Sequence, residues 1–457
     1  MIARLKSTLL TPAADLSPFV RWLFLGAMVA YVLASALAMD RWQHRSGLAL
    51  KDLGFGYGVL IAELDVTGEY RAPAGVHYPG VAFSAHRLPF IPYYLMTLRD
   101  AFGDDQRRVG LVKCLMFGGL IVAAATTVLR TARAPCWVVV LLLGVVLTMP
   151  RWALNVFELG LEEGYNIAVL SLLFALLWFD DAAGRARVMW TLGVGLLLVL
   201  LLFLKGSMVY WCAAVPVLVG LRRRDWREAL TLLLMVGAGL YALAAFNRAH
   251  SGRFTFGSSW EGWTLFKGNC EDTAKTYPLY SLDILDYEGK VVADRPLVDE
   301  WDHNAYFKQR AVDFIRAHPG EFVANAVRKA WVFYGEVRAS GLGQRGESRY
   351  ARPEYLLQIP WMIVFRVMLW AAILLAFRTL WQLRREWWRA DAFVVALTYL
   401  AFLALYSAFH VIGFAYERHV MPVVMPTALY LIWRWSDNAR KNQGFLTTDA
   451  SPNGSAT

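Results

Sequence analysis

Charge is scarce in this chain: Asp, Glu, Lys and Arg make up 18% of its 457 residues, against about 25% in soluble domains. Cysteine is scarce too. Cys114, Cys136 and Cys212 fall in or at the ends of apolar runs, and only Cys270 lies in a long loop, which excludes an intrachain disulfide framework. No Walker loop, GxSxG, HExxH or paired CxxC is present, so nothing points to chemistry driven by a cytosolic nucleotide. No internal repeat is visible, which leaves the inverted-repeat design of many transporters unsupported. No cleavable signal peptide is evident either, because the run Val20–Met39 is too long for one and no small-residue cleavage site follows it.

What the chain does have is apolar length, with 57% hydrophobic residues. A bilayer crossing needs roughly 20 apolar residues in a helix. Candidates are 20–39, 108–130, 162–179, 188–204, 206–221, 228–246, 357–380, 391–410 and 420–435, with 136–150 a shorter tenth. The expected fold class is an all-α integral membrane protein with about ten transmembrane helices. The net charge of +10 sits largely in short loops, at Arg130/Arg133, Arg185/Arg187, Arg222–Arg224/Arg227, Arg378–Arg389 and Arg434–Lys441. These alternate with the spans as cytoplasmic loops do, so the charge is topogenic and no nucleic-acid partner is implied.

That alternation places 40–107 and 247–356 outside and both termini inside. The segment 89–102 is too short to cross, and a crossing there would invert every later loop. It reads as a juxtamembrane helix in the outer interface, and Leu48–Tyr70 reads the same way. The second outer loop should be mixed and partly helical, over Trp301–His318 and Glu321–Tyr334, with Pro319 between. The expected organisation is a cytoplasmic 1–19, a first span 20–39, the outer loop 40–107, a bundle 108–246, the outer loop 247–356, spans over 357–435, and a disordered cytoplasmic tail 436–457.

Chemistry can then be sought at the outer face. An acid just beyond the first span could take a proton from an attacking hydroxyl or bind a metal; Asp40, Asp52 and Asp65 qualify, although composition alone favours a solvated loop acid for each. Lys205 and Arg418 are cations at outer turns, against the topogenic trend. Such groups can bind the phosphate of a lipid carrier, or simply snorkel to headgroups. Glu162 and Glu163 open the fourth span, where acids favour a helix N-terminus.

At these residues the sequence resembles the C-type (GT-C) membrane glycosyltransferases that use polyprenyl-phosphate sugars. It is most similar to the bacterial branch related to protein O-mannosyltransferases, lipid A aminoarabinose transferase and lipopolysaccharide core galacturonosyltransferases. Four stretches carry the likeness: Asp52…Tyr57…Ala62…Leu64…Gly68-Glu69-Tyr70; Arg87-Leu88-Pro89-Phe90-Ile91-Pro92; Gly252-Arg253-Phe254…Lys267-Gly268-Asn269 with Tyr306…His318-Pro319…Lys329; and Glu417-Arg418-His419…Pro422…Pro426. Three positions depart from the pattern. Asp52 stands five residues before Tyr57 rather than four, Leu88 replaces a Pro, and His419 stands where Tyr is common.

The resemblance implies sugar transfer from a polyprenyl-phosphate donor to an envelope acceptor (lipid, glycan or protein), with inversion, on the periplasmic face of a bacterial inner membrane. Asp52 would be the catalytic acid, with Asp40 the runner-up. Arg87, Lys205 and Arg418 would bind the donor phosphate, and Tyr57, His86, Glu162, Glu163, Asn269 and Glu417 would contact substrate. A divalent metal (Mg, Mn or Zn) would be a possible cofactor. The rival readings are a transporter or flippase for a lipid-linked saccharide, for which Arg366 is the rare mid-span charge, and a non-catalytic subunit of a polysaccharide assembly complex.

Overall fold

The computed structural model describes residues 8–43, 47–54, 56–179, 184–276, 292–337, 358–387 and 390–448, and these are helical almost throughout. The N-terminal residues 1–7, parts of the second long loop and the tail beyond 448 lie outside the described residues, as do the side chains of Asp40 and Glu417. The helices in chain order are α1 (Pro18–Gln43), α2 (Tyr57–Thr67), α3 (Phe90–Phe102), α4 (Gln106–Thr131), α5 (Cys136–Thr148), α6 (Pro150–Phe157), α7 (Glu162–Phe179) and α8 (Arg185–Leu204). They continue with α9 (Val209–Arg223), α10 (Trp226–Ser251), α11 (Glu261–Gly268), α12 (Glu271–Thr276), α13 (Glu300–Ala317), α14 (Pro319–Tyr334), α15 (Gln358–Leu383), α16 (Asp391–Ile412) and α17 (Met421–Thr448).

Seven of these helices are long and apolar enough to cross a bilayer, or eight with α5 and α6 taken as one broken span, against the ten expected. The differences have local causes. Pro150 cannot donate to the preceding turn, so the run 136–150 stops at Thr148 and restarts with Pro150 in the first turn of α6, bent by 65°. The expected span 206–221 is shortened because Gly206–Met208 forms a 3₁₀ turn, which leaves the 15-residue α9. α17 continues to Thr448, past the expected end of its span near 435 and into the segment expected to be disordered.

Acids fix several helix starts: the side chains of Asp105, Asp225 and Asp299 accept backbone N–H groups at the N-termini of α4, α10 and α13. The centre of the bundle is α7. In its membrane-spanning window 83% of the residues are buried, against 17% for α1 at the edge. It packs on α4, α17, α8 and α6. Gly164 allows the close approach of α6, since a Cβ there would strike the backbone oxygen of Asn155.

The two long loops build a second core together. Leu60, Leu64, Tyr70 and Phe83 of the first loop pack with Trp263, Phe266 and Phe307 of the second. Glu300, at the start of α13, ties them further: its carboxylate accepts from the backbone N–H groups of Ser84 (3.0 Å) and Ala85 (2.8 Å) and from the Ser259 hydroxyl (2.7 Å). Because α7 points its N-terminus at this layer, the loops and the first residues of the most enclosed span meet.

Candidate active site

The adjacent carboxylates Glu162 and Glu163, in the first turn of α7, organise the site. Glu162 Oε1 accepts from the Tyr57 hydroxyl at 2.7 Å and from Arg87 Nη1 at 3.1 Å. The Arg87 guanidinium in turn lies 5.4 Å from the centre of the Tyr57 ring. Glu163 Oε1 accepts from Lys205 Nζ at 2.9 Å and lies 3.8 Å from Arg418 Nε and 3.6 Å from His419 Nε2. The three expected phosphate-binding cations, drawn from a loop, a span end and a late turn, are thus brought to two neighbouring acids. Counting the pairs leaves a surplus of one positive charge, at the electropositive end of α7.

His419 is oriented by its other nitrogen. Nδ1 accepts from the backbone N–H of Tyr416 at 3.2 Å, so the neutral ring carries its proton on Nε2, facing Glu163. Burial holds its pKa well below the usual histidine range, helped by His410 and the nearby cations. His410 stacks on it with ring centroids 4.1 Å apart. Sequence reasoning missed His410, because a histidine in an apolar helix carries no distinguishing pattern.

Asp52 lies beside the helix that carries Tyr57. It ends the 3₁₀ turn Leu50–Asp52, is exposed, and accepts the Ala49 N–H at 3.1 Å. This turn is docked on α2 through Gly58, where any Cβ would strike the backbone oxygens of Lys51 and Leu53. Asp52 is therefore held rigidly to the helix that presents Tyr57 to Glu162. Asp40 falls in the last turns of α1.

His86 lies beside this cluster in a nest with His77 (4.6 Å between ring centroids), Phe83 and Trp260. Burial, and then the neighbouring positive groups, depress both histidines, His77 to about 4 and His86 well below its usual range. Both are neutral at pH 7. Gly56, in the left-handed region at φ +80°, gives them room, since a Cβ there would press on the His77 ring.

Asn269 is a strut. Its amide N–H groups donate to the Leu265 and Ile412 carbonyls (both 2.8 Å), and its side-chain oxygen accepts from Lys329 Nζ at 3.2 Å. Lys329, fully buried on α14, also reaches the Ile412 carbonyl at 3.3 Å. Gly268 packs directly on the Gly413 backbone. Together these contacts clamp the second long loop to the start of the turn that carries Arg418.

A metal does not find a built cage here. Among the described residues no three His, Cys, Asp or Glu side chains gather to hold an ion. Glu162 and Glu163 are each committed to cations.

No protein-family model matches this chain, and no curated protein matches it in sequence. Two solved structures are similar: ArnT from Cupriavidus metallidurans in the apo state, and the same protein bound to undecaprenyl phosphate. Each is 14% identical, with a TM-score of 0.37; the alignments cover 92% and 93% of this chain and 78% and 79% of theirs.

Proposed function

We propose that this chain is a membrane glycosyltransferase that moves a sugar from a polyprenyl-phosphate donor to an acceptor of the cell envelope. The catalytic face is the periplasmic side of a bacterial inner membrane, with both termini cytoplasmic. The observation that carries the reading is the meeting of Arg87, Lys205 and Arg418 at Glu162 and Glu163. The sequence likeness to the C-type transferases supports the same conclusion, on stretches that include Asp52 and Tyr57 as well as Arg87 and Arg418.

In this mechanism the carrier phosphate enters from the lipid and displaces the carboxylates as partner of the three cations. Asp52 takes the proton of the acceptor hydroxyl. The oxygen attacks the anomeric carbon from the face opposite the phosphate, the bond from that carbon to the phosphate oxygen breaks, and the configuration inverts. The departing phosphate gains negative charge, so the fixed cations stabilise the transition state more than the ground state. Before the donor arrives, Glu162 and Glu163 keep those cations positioned at low energetic cost, because a buried unpaired charge is expensive.

The flippase reading loses its main support. Arg366, the mid-span charge it would need, donates to the carbonyls of Val332, Phe333 and Glu336 at the C-terminal end of α14. A cation there satisfies orphan carbonyls and the helix dipole, which accounts for its place in a span without transport.

The deciding experiment supplies purified protein with a radiolabelled polyprenyl-phosphate sugar and candidate envelope acceptors. Acceptor-dependent release of the free carrier lipid is the expected result. Movement of the intact labelled lipid between leaflets without release would overturn the proposal.

A further inference from the structure

α14 is inside out for a helix bordered by water. Asn325 and Lys329, one turn apart, are buried against the protein, whereas Val323, Val327 and Trp331 are 58%, 65% and 62% exposed. Residues four apart share a helix face, so the exposed three form one apolar stripe along α14. A helix at an aqueous surface shows the reverse, with its polar face outward. Lipid tails are as apolar as the side chains themselves, so an outward apolar stripe costs nothing against them.

The inward contacts of α14 fix its depth. At and just past its C-terminal end, the carbonyls of Val332, Phe333 and Glu336 accept from Arg366. Arg366 stands eight residues into α15, about 12 Å along that helix from Gln358. The Tyr334 hydroxyl donates to Ser407 Oγ at 2.7 Å, five residues before the end of α16 at Ile412. Both α15 and α16 are long and apolar enough to cross a bilayer. The last turn of α14 therefore lies beside the flanks of two spans, not above their ends. The exposed side of α15 adjoins it there: the Tyr334 ring lies 6.3 Å from that of Trp370, which shares one helix face with the exposed Ile363 and Val367.

We propose that α14 is seated in the bilayer, with Val327 and Trp331 against the acyl chains of the leaflet adjoining the second long loop. Depth selects this occupant, because a soluble partner cannot reach a surface level with Arg366. Arg328, exposed beside the stripe, is compatible with that seat. Its guanidinium turns aside to Asn325 Oδ1 at 3.2 Å, and arginine stems lie readily along apolar surface. Tryptophan is likewise at home where chains meet headgroups. Lipid thus holds from outside the helix whose inner face clamps Ile412 through Lys329. The inference rests on packing and exposure, and it stands whether or not the protein transfers sugar.

The test is nitroxide labelling of the full-length protein in phosphatidylcholine nanodiscs, at Val327→Cys and, separately, at Trp331→Cys. Collisions are measured with dissolved oxygen, which concentrates in hydrocarbon, and with a nickel chelate that stays in water. Val298→Cys is the aqueous reference, since Val298 is 86% exposed just ahead of α13, between Arg295 and Asp299. The four native cysteines are buried, and the unaltered protein taken through the same labelling gives the background. Labels at 327 and 331 should meet oxygen several-fold more often than the label at 298, and the nickel chelate several-fold less often. Equal nickel accessibility at 327 and 298 places the stripe in water and overturns the proposal. Dipolar broadening between the labels of two chains would show a second copy covering the stripe, and also overturns it. Val327→Cys decides alone if Trp331→Cys does not fold, because an exposed valine is replaced by a side chain of similar size.

Discussion

Glu163 and Lys205 are buried side chains whose charged atoms lie 2.9 Å apart although 42 positions separate them in the chain. A buried pair of this kind is fragile in one direction. Lys205→Met should destabilise the protein by about 3–5 kcal/mol, because the carboxylate loses its closest partner. The double variant Glu163→Gln/Lys205→Met removes both charges and should regain most of that loss while transfer stays low. Thermal unfolding in detergent, measured beside turnover, separates the two effects. A double variant as unstable as the single one would mean that the pair serves packing alone.

Tyr57→Phe keeps the ring beneath Arg87 and removes only the hydroxyl that donates to Glu162. A hydrogen bond to a charged group contributes about 1.5–3 kcal/mol, so turnover should fall roughly ten- to a hundredfold. Unfolding temperature should fall as well, because the same bond also stabilises the fold, while Arg87 still pairs with Glu162. Unchanged turnover would place Tyr57 outside the mechanism.

Asp52→Asn should abolish transfer without altering expression, membrane insertion or unfolding. The side chain is exposed and accepts the local Ala49 N–H, a bond that an amide oxygen can also accept. Wild-type turnover by this variant would shift the assignment to Asp40.

Loss of one phosphate-binding cation should act on rate more than on binding. Arg418→Gln is expected to reduce kcat by on the order of 10²–10³, the usual cost of removing one electrostatic donor aimed at developing charge. A rise in KM with kcat unchanged would instead describe a group that grips the donor equally in both states.

Lys329 gives the chain a pH signature. Burial lowers its pKa to about 7, from an ordinary value near 10.5. Between those values the unfolded chain binds the proton and the folded chain does not, so stability gains a contribution as pH rises from about 7 toward 10. Below pH 7 both states are protonated and the full penalty is present. Lys329→Met should remove this slope. The difference in unfolding temperature between wild type and variant, followed from pH 6 to 10, is the readout, and a constant difference would refute it.

Much of the architecture was legible because bilayer thickness imposes a simple rule on apolar length. α4, α8, α10, α15 and α16 stand close to where hydropathy puts them. The juxtamembrane reading of 89–102 came from charge alternation, and a helix, α3, spans Phe90–Phe102. The break at Pro150 was harder to see, since an apolar run hides a change of direction. At the site, Lys205 and Arg418 stood out as cations on the wrong side of the charge pattern. Glu162 and Glu163 looked like helix-capping acids, because nothing local reveals that loop, span and turn all converge on them. Lys329 and Asn269 are opaque in the same way, since their partners at Ile412 lie far along the chain.

The clamp at Ile412 and Gly413 has a mechanical consequence. Lys329, Asn269 and Gly268 belong to the second loop, while the segment they hold leads within a few residues to Arg418. That loop is therefore no detachable lid. Displacement of that loop would carry with it the turn that presents Arg418 to Glu163.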